Sequence, residues 1–551
     1  MAARVDAPAR RDRRADRPRR VRRAPTGVHL ADLSDHSRVV RPGGRRVSGS
    51  AGMSAAARAV RLPGAVKPGL VRGLVSPFAV WQFQVGASSP LTVVVGGVVT
   101  TYAVTGVVGV PLTFPIIGVC LGLLSVGFLA MSYRQRHAGA AYAAMAVGLG
   151  PRWGVAGGFI ALVSYPALQI ALLGLFGVNM ADFAGTESWQ VWAWVAWLLL
   201  AAVGTLRYTL GQYTVAGITI VELAVITMMS IAAFVHPHDG HITTSPLTVS
   251  ALWADQGQIG GAFALGVAAF VGFETGPAFS EEIKDERSVV SASVLTLVFL
   301  TGFLTVVAWS LAVWTGADRI VAEATSALPF DIISRYWGAT AGTVMGLLLI
   351  SSVYISMLSF HNTTNRYAFA MARERVLPRF LARVGRTGGR FEGTPWPASL
   401  VQSGLVAAAL AVFQLAGANP MEDMFVWLSS GAAFAILAML VLVSVAAVLW
   451  FRSGAGGAAS VWIRTVLPIV GAVAGTVLAA IIALNQSLLL QLDPGSGWQL
   501  LIPACAAAVV AAGLLYGAWI KGVDPVRYAG IGRGQPDPRT EIDTQLGAIR
   551  G

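Results

Sequence analysis

The chain of 551 residues is 55% hydrophobic and only 12% charged, with a mean hydropathy of +0.65. Soluble domains carry about a quarter charged residues, so a water-soluble enzyme is excluded and a polytopic membrane protein is implied. The net charge of +13 looks like a nucleic-acid signal until it is located: residues 1–75 hold 18 Lys and Arg against 5 Asp, and the remainder holds 22 of each sign. The charge belongs to a tail, and arginines beside a bilayer meet anionic lipid more simply than nucleic acid, so no nucleic-acid partner is expected.

Residues 1–75 are rich in Arg, Ala, Pro and Gly without apolar periodicity, which predicts a disordered basic tail on the cytoplasmic side. No apolar core of a cleaved signal peptide follows the arginines. Met53 offers a second start, and translation from it would leave most of them out of the protein. From residue 76 the apolar runs predict about twelve spans, at roughly 76–107, 111–133, 153–179, 189–206, 211–235, 259–279, 289–316, 338–361, 397–417, 424–450, 462–485 and 499–520. The membrane domain thus covers 76–520, and 521–551 form a C-terminal tail. With the first tail inside, the inner loops and C-terminus hold 20 of the 22 basic residues beyond position 75, and only Arg319 and Arg335 fall outside. That asymmetry predicts a multi-pass protein of the cytoplasmic membrane with both termini cytoplasmic.

Two spans are irregular. In the first, Gly86-Ala87-Ser88-Ser89-Pro90 interrupts the apolar run; Pro90 lacks a backbone donor and the small residues leave backbone groups reachable. In the sixth, Gly266, Gly272, Gly276 and Pro277 punctuate the run around Phe270-Val271-Gly272-Phe273-Glu274. Broken helices at matching places in two halves point to a midplane site, where half-helix N-termini and freed carbonyls bind the charged ends of a small solute; a simple kink is the alternative. Two carboxylates, Glu222 and Glu274, lie well inside spans that carry no basic residue, which makes them candidates for proton coupling or for neutral structural acids. Tyr165 and Gln169, one turn apart in the third span, either line the cavity or pack between helices. Ser352, Ser356 and Ser359 share one face of the eighth span; Ser352 and Ser356 are weak candidates for a sodium cage, and hydroxyls bonding back to their own helix are the commoner outcome.

The rest of the chain offers little chemistry. Cys120 and Cys505 lie far apart in apolar runs and suggest neither disulfide nor metal knuckle. The His236-Pro237-His238-Asp239-Gly240-His241 loop has metal-ligand residue types, but without a second cluster it reads as a solvated loop. No phosphate-loop, metalloprotease or paired-cysteine pattern appears, so no cofactor and no enzyme are expected. The arginines of the 362–396 loop read either as a solvated inner loop or, over Asn365 to Val384, as an amphipathic helix on the membrane surface.

The segment Phe270-Val271-Gly272-Phe273-Glu274 with Ser280-Glu281-Glu282-Ile283-Lys284-Asp285-Glu286-Arg287 resembles the sixth helix and following loop of the amino acid, polyamine and organocation permease superfamily. His361-Asn362 through Arg366, with Ala372-Arg373-Glu374-Arg375-Val376-Leu377-Pro378, is similar to that family's loop after the eighth helix, and Ala138-Gly139-Ala140-Ala141-Tyr142 to its motif before the third. The resemblance covers nearly all of residues 76–520. It implies an all-α integral membrane protein with a five-plus-five inverted-repeat (LeuT-like) fold plus two C-terminal helices, working by alternating access. It matches the family's unwound first helix to Gly86 through Pro90, where alternating glycines are missing, and its sixth-helix acid to Glu274. Glu222 stands where some cationic amino acid transporters of the superfamily have a lysine. The expectation is a proton-coupled importer of an amino acid or related organic amine, its carboxylate at the first half-helix N-terminus and its ammonium on unwound carbonyls. A proton-independent exchanger and a transporter-fold sensor are the rivals, and sodium is the less favoured ion.

Overall fold

The computed structural model describes residues 76–206, 212–253, 258–283, 286–385, 393–454, 457, 459–487, 490, 492 and 497–534. All lie in the second of the two units into which the chain divides, Pro68–Gly551; the tail predicted over 1–75 lies outside the described residues. Every regular element among them is helical, as a bilayer demands, since a helix satisfies its own backbone donors and acceptors where no water can.

The long helices in chain order are α1 (Pro77–Thr105), α2 (Val110–Arg134), α3 (Pro151–Ala184), α4 (Trp189–Val203), α5 (Gln212–Val235), α6 (Ile259–Phe279), α7 (Glu286–Thr315), α8 (Ala339–Arg373), α9 (Trp396–Leu415), α10 (Pro420–Arg452), α11 (Trp462–Leu484) and α12 (Trp498–Val523). Among the described residues eleven are long and apolar enough to cross a membrane. The remaining predicted span, the fourth, is α4, only 15 residues long, about 22 Å at 1.5 Å per residue. It packs against α3 and α9 and turns Val191, Leu198 and Leu199 outward.

The packing has the internal symmetry expected of two five-helix repeats: α1 meets α6, α2 meets α7, α3 meets α8 and α4 meets α9. The innermost element is α6, and the face of α12 away from α3 is exposed at Leu515, Trp519 and Val523. Apolar side chains turned outward are what lipid selects, because hydrocarbon imposes no penalty on them.

Local sequence sets the helix ends. Ser76 caps α1 by accepting from Ala79 N–H at 3.1 Å, with Pro77 at the first helical position. Asn419 caps α10 through Met421 and Glu422 N–H at 2.9 and 3.1 Å.

One expectation fails. The surface helix from Asn365 to Val384 is not formed: α8 runs on to Arg373, residues 365–367 and 369–372 are buried, and the chain turns at Arg375 (φ 65°) into a short 3-10 turn, Arg379–Ala382. A cation is therefore enclosed in a long helix, because α8 runs beyond residue 361, where the eighth span was predicted to end. The reason is acidic partners brought from elsewhere. Arg366 makes a fork with Glu282, Nε to Oε1 at 2.7 Å and Nη2 to Oε2 at 3.2 Å, donates to Asn362 O at 3.0 Å, and lies 3.8 Å above the Phe279 ring. Arg373 makes a second fork with Glu281, both distances 2.7 Å.

Candidate functional site

The first and sixth helices are broken where their small residues and prolines stand. The first part of α1 ends at Ser88; Ser89 takes a left-handed conformation (φ 49°, ψ 72°), and Pro90 restarts the helix. A widened π turn follows over Val93–Val98. In α6, regular helix ends at Phe270, Val271 is extended, Gly272 has φ 123°, and a 3-10 helix runs over Phe273–Phe279. The two breaks touch. A Cβ on Gly272 would lie 2.7 Å from Ser88 N and 2.8 Å from the Ala87 Cβ, so positive φ and lack of space both require glycine there.

Polar side chains tie the breaks together. Ser88 Oγ donates to Val271 O at 3.2 Å, and Gln84 Nε2 donates to Phe273 O and, at 2.8 Å, to Ser293 Oγ of α7. On the α8 side, Ser356 Oγ donates to Ala87 O at 2.6 Å, while Ser352 Oγ lies 2.6 Å from Ser89 Oγ and donates to Glu222 Oε1 at 2.7 Å. Glu222 Oε1 also accepts from Leu91 N–H at 2.6 Å. The carboxylate of α5 thus caps the restarted half of α1. Glu274 does the same for α6: its Oε2 accepts from Gly272 N–H at 2.9 Å, and its Oε1 accepts from Tyr165 O–H of α3 at 3.1 Å. Among the described residues neither acid has an ion-pair partner.

Beside the breaks lies a cavity of about 60 Å³ lined by Ala87, Ser88, Ser89 and Thr92 of α1, Ala268 and Val271 of α6, and residues of α3, α8 and α10 that include Leu168, Phe360 and Phe425. Among the described residues that line it none is charged. A larger groove of about 390 Å³ between α10 and α11 has an apolar lining, Val441, Val445, Pro468 and Val473 among it, and no part of the breaks.

Of the sequence-predicted site residues, Ala87, Ser88 and Ser89 line the cavity. Gly86 is where α8 comes close, a Cβ there lying 3.0 Å from Ile355. Pro90 starts the second half of α1. Phe270 is fully enclosed against Phe114, ring centroids 6.2 Å apart. Tyr165 and Gln169 do not line the cavity: Tyr165 holds Glu274, and Gln169 Oε1 accepts from Gln402 Nε2 of α9 at 2.8 Å. The hydroxyls of Ser352 and Ser356 are engaged by Glu222 and the Ala87 carbonyl. Sequence reasoning missed Gln84, Ser293 and Gln402; a polar amide within an apolar span was the available signal for the two glutamines. The histidines of the loop after α5 go separate ways: His236 stacks on Tyr336 at 4.1 Å, His238 Nε2 lies 3.3 Å from Arg319, and His241 Nδ1 lies 3.1 Å from Asp239 O.

The three segments that carry the family resemblance meet at one end of the bundle. Glu281, bound by Arg373, also accepts from Ala138 N–H at 2.8 Å, and the phenolic oxygen of Tyr367 accepts from Ala141 N–H at 3.1 Å. Glu374 takes His137 Nε2 at 2.8 Å, Tyr142 O–H, and the N–H groups of Gly532 and Gly534 at 2.7 and 2.8 Å. His137 Nδ1 accepts from Gly139 N–H at 3.0 Å, which puts the ring proton on Nε2, facing Glu374. Burial alone would raise both carboxyls. Arg373 beside Glu281, and His137 with Tyr142 beside Glu374, hold them below the usual value of 4.5.

No curated protein sequence matches the chain. Among solved structures, that of a mutant manganese transporter of Eremococcus coleocola is similar over 83% of this chain and 99% of its own, at 14% identity with a TM-score of 0.47. The amino acid permease family model matches residues 78–510, over the same helices and both breaks, and the chain therefore belongs to the amino acid permease family, a membrane transporter and not an enzyme.

Proposed function

We propose that this permease imports an amino acid or related organic amine across the cytoplasmic membrane by alternating access, driven by protons, with Glu274 as the proton site. The observation that carries the reading is the position of Glu274. It sits at the α6 break, accepts from the N–H of Gly272, the neighbour of cavity-lining Val271, and reaches across to Tyr165 of α3, with only neutral donors around it. An acid held by neutral donors changes charge at a lower cost to its surroundings than one locked to a cation. Gaining or losing that proton alters the bond that joins the broken helix to α3. Glu222, capping α1 in the same way, is the second proton candidate. The membrane potential is worth about 2.3 kcal/mol per charge per 100 mV, so one coupled proton supports roughly a fiftyfold gradient.

The arginine-bearing end, with Arg366 and Arg373, supports an inward orientation of both termini. Residues 1–75 would then form a cytoplasmic tail whose cations rest on anionic lipid, with 521–551 on the same side. The test is uptake by the full chain in sealed vesicles under an imposed acid-outside gradient. Labelled amines or amino acids should accumulate and leak out when a protonophore is added. Counterflow without accumulation would instead establish an exchanger.

A further inference from the structure

From the two helix breaks we infer that the substrate is a small organic ammonium ion lacking an α-carboxylate. This rests on the transport reading above and names its substrate class. A solute carboxylate would be held by the free N–H groups at the start of a half-helix, where the dipole is positive. Here the first of those groups at each start are absent or taken. At the α1 break, Ser89 N–H is bonded to Val85 O at 2.9 Å, Pro90 has no N–H, and Leu91 N–H is given to Glu222 at 2.6 Å. At the α6 break, Gly272 N–H is given to Glu274 at 2.9 Å. The chain has placed a carboxylate of its own on each anion-binding helix start.

The acceptor capacity beside the cavity is of the opposite polarity. Ala87 and Ala268, in the last turns of the first half-helices, line the cavity with Val271. Their carbonyls stand at the negative ends of those segments. Ala87 O and Val271 O each accept one serine hydroxyl, from Ser356 and Ser88, and a carbonyl oxygen has a second lone pair for an ammonium N–H. Among the described residues no cation lines the cavity to offset a third carboxylate arriving with a substrate. The rest of the wall, Leu168, Leu172, Leu265, Phe360 and Phe425, suits a short hydrocarbon tail. A solute carboxylate that took Leu91 N–H would have to displace Glu222 and then lie beside it.

The test compares matched pairs that differ only by the carboxylate: ethylamine with alanine, and isobutylamine with valine. Binding is read as thermal stabilisation of the purified full-length protein and as competition in vesicle uptake. The amines should bind at least about tenfold tighter than their amino acids, and Glu222→Ala, which frees Leu91 N–H, should narrow that ratio. If Glu222→Ala fails to fold, Glu222→Gln, which removes the charge and keeps an acceptor for Leu91, should weaken the amines and leave the amino acids nearly unchanged. Tighter binding of alanine and valine would overturn this inference and leave the transport reading standing. Binding of neither series would overturn both.

Discussion

Four buried glutamates and the half-buried Glu281 divide into two regions that treat the same side chain oppositely. At the resemblance-bearing end of the bundle, Glu281 and Glu282 meet arginine forks and Glu374 meets His137 with three further donors. At the helix breaks, Glu222 and Glu274 meet only backbone N–H and hydroxyl groups. A carboxylate locked to a guanidinium, as Glu281 and Glu282 are, or wrapped by four donors, as Glu374 is, is held in its charged form and fastens segments together; one with only two neutral donors, as Glu222 and Glu274 have, lacks such an anchor, and a proton can change it. The first region therefore reads as the clasp of the structure and the second as its working part.

The sharpest way to break this comparison is to remove a cation from the clasp. Arg366→Met strands buried Glu282 and should lower stability by about 3 to 5 kcal/mol, seen as a fall in the melting temperature in detergent, whereas replacing both partners with apolar residues should cost much less. Acid should open the same region. The folded-state values of Glu281 and Glu374 are depressed, so their stabilisation is complete above 4.5 and fades as pH falls through the lower folded values. Melting temperature should hold steady from neutral pH down to the usual carboxylate range and drop below it, and Glu374→Gln should flatten that drop.

Smaller changes sharpen the contrast. Gly532 has φ 77°, and a Cβ there would lie 2.3 Å from the Ala146 Cβ. Gly532→Ala should therefore cost about 1 to 2 kcal/mol and loosen the C-terminal segment on Glu374, detectable as faster amide exchange at Gly534. Tyr165→Phe removes one neutral donor from Glu274 and leaves the stacking on Phe360, centroids 5.9 Å apart. It should slow gradient-driven uptake about fivefold, equivalent to about 1 kcal/mol, with little change in melting temperature.

The helices were legible because the bilayer fixes their length and composition: the apolar runs read from sequence coincide with the helices to within a few residues at most ends, and Gly272, Ser89 and Pro90 mark the breaks. The C-terminal end of α8 was not. Arginines at helical spacing read equally well as a surface helix, and the acids that draw Arg366 and Arg373 inside lie 84 and 92 residues away in sequence. The partner of each polar side chain was hidden for the same reason. Tyr165 and Gln169 face one way along α3, yet one meets α6 and the other α9. Nothing local to Glu222 shows that it caps Leu91, 131 residues earlier; that contact exists only once α5 packs against the first break.

The most direct test of the central claim separates proton coupling from substrate movement in one variant. Glu274→Gln keeps the size, an acceptor for Gly272 N–H and an amide N–H that can donate to the Tyr165 oxygen, but removes the titratable group. In vesicles it should lose accumulation under an acid-outside gradient while keeping substrate counterflow. Accumulation by the variant at the parental rate would contradict the account.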